Sequence, residues 1–286
     1  MPASKIRSIA REDFIMFTKG IITAKNLADI VADPRVKILD ASYGIPQPFA
    51  LAPKIAGAQE FDIDRIADPT ATLTHMLPSA DDFAKHVGAL GITHDDFVVI
   101  YDRIGMAMAA ARAWWMFRVF GHDNVAVLDG GLPAWLDEGF DTTTALTAPT
   151  AQIFKARFRP ELVRSFTAMK ENLTTKHDRV LDARDPMRFK GLVDDPRPGM
   201  HSGHIPESQN LFFMQLMTTD AKLKSAEELQ PLLQDHLNAP AIVASCGSGV
   251  TACMIALAFY RLGRDDVAIY DGSWSEWGQH PELVAK

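Results

Sequence analysis

The sequence predicts an α/β protein made of two copies of one domain, each a mostly parallel sheet covered by helices. Three observations lead there. Short apolar runs alternate with helical patterns, the order that builds parallel sheets flanked by helices. The series then restarts: Leu39-Asp40-Ala41 recurs as Leu181-Asp182-Ala183, Asp129-Gly130 as Asp271-Gly272, and Trp135 as Trp277, each at an offset of 142 residues. Between the copies, residues 142–160 are rich in Thr, Ala and Pro, lack helical periodicity and read as a linker. A length of 286 residues holds two ordinary domains, and the period is far too long for a solenoid. The division expected is an extension over 1–20, a first domain over 21–141, the linker, and a second domain over 161–286.

The elements follow in order. Thr23 is the expected cap of a helix running to about Val31. Val36–Asp40 reads as a strand, and Tyr43–Pro53 as a Gly/Pro loop. Phe83–Leu90 fits an amphipathic helix ended by Gly91. Phe97–Tyr101 is a buried strand, Ala107–Phe120 a helix and Val125–Leu128 a strand closed by Asp129-Gly130-Gly131. A short helix around Trp135 completes the first copy. In the second, Arg179–Asp182 is a strand, Ala226–Leu237 a helix, Ile242–Ser245 a strand, Thr251–Leu262 an apolar helix and Val267–Tyr270 a strand. The turn Asp271-Gly272 and a short helix around Trp277 end the chain.

Composition narrows the function classes. Hydrophobic residues make up 47% and charged residues 23%, the balance of a soluble globular chain. Lys plus Arg number 29 against 36 Asp plus Glu, a net charge of −7 with no basic tract, which disfavours a nucleic-acid partner. No apolar run approaches the ~18 residues of a membrane span. Lys5, Arg7 and Arg11 are followed by Glu12 and Asp13 without an apolar run of signal-peptide type. The first twenty residues therefore read as an arm, with a mitochondrial presequence as the alternative. Two cysteines, Cys246 and Cys253, form no disulfide framework and fit a reducing compartment, the cytoplasm. No nucleotide, haem or metal motif is present, so no cofactor is expected.

The candidate nucleophile is Cys246 in Ser245-Cys246-Gly247-Ser248-Gly249-Val250-Thr251. It stands where a strand turns into a helix, so backbone N–H groups and the helix dipole converge on its sulfur and favour the thiolate. A buried, inert cysteine is the bland reading, and the Gly-Ser-Gly that follows argues for the reactive one. In the first copy the residue at the matching strand end is Asp102, which cannot accept and release a sulfur atom. Arg188 and Arg197 are candidates to grip a carboxylate, with salt-bridged surface arginines as the alternative and Asp185, Asp194 and Asp195 near enough in sequence to serve. Arg184 suits a structural pairing better. Cys253, on the apolar helix, reads as buried and inert.

The strand followed by Cys-Gly-Ser-Gly-Val-Thr, together with the duplication, resembles the two-domain rhodanese family, and the resemblance covers nearly the whole chain from about Ile21. It is closer to the members that use 3-mercaptopyruvate than to those that use thiosulfate, which usually carry charged residues after the cysteine. The resemblance implies two rhodanese-like domains, the first catalytically inert. It also implies a sulfurtransferase that moves sulfur from a small-molecule donor, through a persulfide on Cys246, to cyanide or to a thiol such as thioredoxin or a small thiol. By the same resemblance Arg188 and Arg197 bind the donor's carboxylate. The backbone of Gly247, Gly249, Val250 and Thr251 cradles the persulfide, and Ser248, His75 and Asp64 form a relay. Ser202-Gly203-His204-Ile205-Pro206-Glu207 resembles a structural signature of the family, with Glu207 in place of a glycine. Three rivals remain: a thiosulfate sulfurtransferase, a non-catalytic sulfur carrier, and a Cys-loop phosphatase. The phosphatase would need an arginine six residues after the cysteine, where this chain has Ala252.

Overall fold

A computed structural model describes residues 18–286. The chain forms two compact units, one of residues up to Ile66 with Ser79–Phe158, the other of Ala67–Pro78 with Arg159–Lys286. Nearly all of the expected N-terminal arm, residues 1–17, lies outside the described residues.

Each unit holds a five-stranded, wholly parallel sheet. In the first unit β1 (Ile21–Ile22), β2 (Val36–Asp40), β3 (Gln59–Glu60), β4 (Phe97–Tyr101) and β5 (Val125–Leu128) lie in the order β1-β5-β4-β2-β3. In the second, β6 (Val163–Arg164), β7 (Asp178–Asp182), β8 (Gln209–Asn210), β9 (Ala241–Ser245) and β10 (Ala268–Tyr270) repeat it as β6-β10-β9-β7-β8. The two α/β units and their mostly parallel sheets are therefore as the sequence predicts. All five residues of β4 are buried, because a central parallel strand has helices on both faces.

The helices of the first unit are α1 (Ala24–Ile30), α2 (Ala80–Ala89), α3 (Met108–Val119) and α4 (Gly131–Asp137); those of the second are α5 (Phe166–Thr175), α6 (Pro186–Phe189), α7 (Ala226–Leu237), α8 (Ala252–Arg261) and α9 (Ser273–Trp277). Side-chain caps start several of them. Thr23, Ser79 and Ser165 accept an N–H from the first turn of α1, α2 and α5, and Ser225 with Glu228 closes a capping box on α7. Eight of the ten residues of α8 are buried, which accounts for its unbroken apolar sequence.

The cores sit under these helices. Ile38, Phe97, Val99, Tyr101, Leu128 and Trp135 belong to the first; Met169, Val180, Val243, Tyr270, Trp274 and Trp277 to the second. Trp274 and Trp277 are thus core residues. Residues 142–158 run back over the first unit: Gln152 and Arg157 donate backbone bonds to Gly88 and Phe120, and Phe154 is buried against Phe83 and Phe117. Glu207 has φ +62 and Gly57, at the matching place in the first copy, has φ +81. The backbone conformation of the glycine that Glu207 replaces is kept, and its carboxylate pairs with Lys176 at 2.6 Å. No helix among the described residues is long and apolar enough to cross a membrane.

Candidate active site

Cys246 follows the last residue of β9, the central strand of its sheet, at the carboxyl edge where parallel α/β sheets place their ligands. The loop it opens is held from one side. Trp274 donates its backbone N–H to the Cys246 carbonyl (3.0 Å), and Ser275 donates its N–H (2.9 Å) and hydroxyl (2.7 Å) to the Gly247 carbonyl. Ser273 Oγ accepts the Cys246 N–H at 3.2 Å and donates to the Tyr270 carbonyl at 2.8 Å. The start of α9 thus takes up the loop's carbonyls. The N–H groups of Gly247, Ser248, Val250 and Thr251 have no acceptor among the described residues. Gly249 turns the loop with φ +74, and the Cys253 thiol reaches its carbonyl at 3.2 Å. A row of amides at the head of α8 is a setting that stabilises an anionic sulfur.

Cys246 is 2% exposed and lies on the wall of a cavity of about 230 Å³. Gly247, Ser248, Val250 and Thr251 line it with Arg184, Asp185, Arg188, Arg197, Phe212 and Phe213. The volume suits a small molecule of a few heavy atoms.

The arginines are not equivalent. Arg184 is buried and bonded to Asp182 through Nε and Nη2 (2.7 Å for Nη2) and to the Gly203 carbonyl, with its guanidinium 4.0 Å from the Trp274 ring centre. Breaking a buried pair of this kind costs about 3–5 kcal/mol, so Arg184 is committed to structure. Arg188 and Arg197 share a single carboxylate, Asp195, at 2.5 and 3.2 Å. Burial alone would raise the Asp195 pKa. The hydrogen bond from Arg188, the Arg197 backbone N–H and both positive charges outweigh it and hold the carboxyl below its ordinary value. Asp195 is therefore ionised at neutral pH, and the pair keeps one net positive charge on the cavity wall. The Arg188 Nε is buried and has no acceptor among the described residues.

Arg197 also meets the nucleophile loop: its guanidinium occupies the space where a Cβ on Gly247 would stand. The loop carries no formal charge of its own, and a cation from fifty residues upstream lies against it. The salt-bridged alternative weighed for these arginines is half right, since both are paired and both still face the cavity.

Ser248 is half-buried, and its hydroxyl makes no hydrogen bond to its own loop or to any other described residue. His75 is buried, with φ +65, a conformation costing a non-glycine residue about 1–2 kcal/mol. Although it precedes the linker, residues 67–78 pack with the second unit. Asp64 is exposed in the first unit, after β3. Neither His75 nor Asp64 is among the residues lining the cavity. Phe212 and Phe213 line it without having been singled out from sequence, and Asp185 lines it where sequence offered it only as a salt-bridge partner. The aromatic pair follows β8 after one residue, Leu211, and its place beyond a strand's carboxyl end is the only signal.

The chain matches the model of the rhodanese-like domain twice, over residues 23–138 and 165–280. It is 42% identical to "Thiosulfate/3-mercaptopyruvate sulfurtransferase 2" of Arabidopsis thaliana, covering 94% of this chain and 87% of that one. It is 39% identical to the 3-mercaptopyruvate sulfurtransferase of Homo sapiens, over 91% and 92% of the two chains. The crystal structure of SseA from Escherichia coli, described as a 3-mercaptopyruvate sulfotransferase, superposes with a TM-score of 0.79 at 34% identity, covering 91% of this chain and all of that one. With the duplicated fold and the cysteine loop, these matches establish that the chain belongs to the rhodanese-like family, as a two-domain member.

Proposed function

We propose that this protein is a 3-mercaptopyruvate sulfurtransferase working through a persulfide on Cys246. The relatives' names cover both donors, so the choice between them rests on the site. The observation that carries it is the charge beside Cys246: Arg188 and Arg197 share Asp195, leaving no more than one net positive charge, and Asp185 stands on the same wall. That balance suits the single carboxylate of mercaptopyruvate better than the two charges of thiosulfate.

In the first half-reaction the Cys246 thiolate attacks the donor sulfur. An S–S bond forms, the C–S bond breaks, and its electron pair leaves on carbon as the enolate of pyruvate. Arg188 and Arg197 hold the carboxylate through this step. A proton delivered to the enolate completes pyruvate, and Ser248, assisted by His75 and Asp64, is the group proposed to serve it. A hydroxyl on the cavity wall that is not spent on its own loop supports that role. Catalytic hydrogen bonds of such relays tighten in the substrate complex. The persulfide, cradled by the Gly247–Thr251 amides, then gives its outer sulfur to an acceptor. A thiol such as thioredoxin or a small thiol would become a persulfide, and cyanide would become thiocyanate. Two free cysteines and a nucleophile that must stay reduced favour the cytoplasm.

The test is a comparison of initial rates with the two donors under one acceptor. A higher kcat/KM for mercaptopyruvate is expected; a higher value for thiosulfate would move the protein to the other branch of its family.

A further inference from the structure

We infer that Asp271 is a positioning residue, holding the segment that carries His75 against the same turn that holds the nucleophile loop. The inference rests on the reading that His75 assists the leaving enolate. Its basis is a division of labour within five residues. Ser273, Trp274 and Ser275 bond the backbone of Cys246 and Gly247. Asp271, just before them, points its bonds elsewhere: its Oδ2 accepts the Leu77 N–H at 2.8 Å. Asp271 is 6% exposed, so this bond is shielded from water.

Leu77 lies two residues after His75. The segment is closed on itself by the Asp68 N–H bonding the Met76 carbonyl at 2.9 Å, and Thr70 returns its N–H and hydroxyl to the Asp68 carboxylate. Those bonds shape the loop but do not fasten it to the sheet that bears Cys246. The Asp271 bond does. His75 is held in a left-handed conformation that a non-glycine residue leaves when it is released, and an anchor two residues away opposes that release.

The duplication separates this task from the turn's ordinary one. In both copies the aspartate's backbone N–H closes the turn onto the edge strand, Asp129 to the Ile22 carbonyl (2.9 Å) and Asp271 to the Arg164 carbonyl (3.3 Å). In the second copy the carboxylate also receives Leu77. The backbone bond would survive a side-chain substitution, whereas the anchor would not.

The experiment uses the full chain with Asp271→Ala and Asp271→Asn. The asparagine carbonyl can still accept the Leu77 N–H, so Asn should rescue what Ala loses. A hydrogen bond to a charged group is worth about a 10- to 150-fold equilibrium factor, so Asp271→Ala should speed hydrogen exchange at Leu77 by about that much. It should lower kcat for mercaptopyruvate in the same range while KM changes little. The rate at which iodoacetamide alkylates Cys246 should stay as in the parent, because that loop is held by Ser273–Ser275. The double variant with His75→Ala should be no slower than His75→Ala alone. Unchanged exchange at Leu77, or losses that multiply in the double variant, would overturn the inference. A fully active His75→Ala would remove the relay reading and the catalytic half of this inference, while the Leu77 exchange rate would still decide the anchor.

Discussion

In the first unit β4 is followed by Asp102, in the second β9 is followed by Cys246, and the loops they open run in step at an offset of 144 residues. Gly105 and Gly249 turn them with φ +81 and +74, and α3 and α8 begin at Met108 and Ala252. The carbonyl at the strand end is taken by Leu132 N–H in one (2.9 Å) and Trp274 N–H in the other (3.0 Å). In the first loop the Asp102 carboxylate accepts the N–H groups of Ile104 (3.0 Å) and Gly105 (2.5 Å). In the second loop the N–H of Ser248, which matches Ile104, has no acceptor among the described residues. One position further, Arg103 reaches back to Asp40 at 3.2 Å, whereas Gly247 has no side chain and the Arg197 guanidinium fills its place. The difference teaches what the loop is for. Its amides hold a carboxyl group in the first copy, and in the second they are proposed to serve the persulfide. The first copy fills the cradle with the side chain of its own aspartate. The other, on the proposed reading, leaves the cradle to a sulfur that gains and loses negative charge, and its neighbouring cation is Arg197, which also lines the cavity.

The largest test of this contrast is the nucleophile itself. Incubation with donor and no acceptor should add one sulfur to the intact mass, and Cys246→Ser should abolish both the adduct and turnover; an active serine variant would end the persulfide reading. Next, Ser248→Ala and His75→Ala should each cut mercaptopyruvate turnover by roughly 10²- to 10⁴-fold, the range for lost general acid–base work. Thiosulfate turnover should fall far less, because sulfite leaves as a stable anion and needs no proton. Equal losses with both donors would assign the effect to loop geometry. Smaller again, Arg188→Ala and Arg197→Ala should lower kcat/KM about 10- to 150-fold, the worth of one hydrogen bond to a charged group. Unchanged kinetics in both would return the arginines to a purely structural pairing with Asp195.

Much of this was legible because it is local. Apolar runs such as Phe97–Tyr101 and Ala241–Ser245 announce buried strands, and the repeat is visible at Asp40 and Asp182. The nucleophile loop combines strand, cysteine and glycines within a dozen residues. What escaped depends on short or distant features. The edge strands β1 and β6 have two residues each, too few to show a period. Helix α5 was missed because Met169 is its only fully buried residue, so no apolar stripe marks it. The approach of Arg197 to Gly247, and the packing of residues 67–78 with the second unit, are consequences of chain path. No local pattern encodes them.

The smallest expected effect falls on the loop of the first unit, and it tests the cradle away from Cys246. Asp102 is 3% exposed, and burial raises its carboxyl pKa above the ordinary value although the N–H groups of Gly105, Ala107 and Ile104 pull the other way. A raised pKa means that the folded state holds the proton more tightly than the unfolded chain does. The stabilising contribution of this group is then fully present below the ordinary carboxylate pKa and is lost as pH rises through the raised, folded one. Asp102→Asn removes the titration while its Oδ1 can still accept from Ile104 and Gly105, both of which bond that atom in the parent. The variant starts with a fixed handicap, since the amide NH2 cannot accept an N–H as the carboxyl oxygen it replaces can. The difference in stability between variant and parent should nevertheless move in the variant's favour as pH climbs from about 3 to 8. Denaturant midpoints for the two proteins across that range would show it. A constant difference would mean that Asp102 titrates as an ordinary carboxyl, with the N–H cradle fully offsetting its burial.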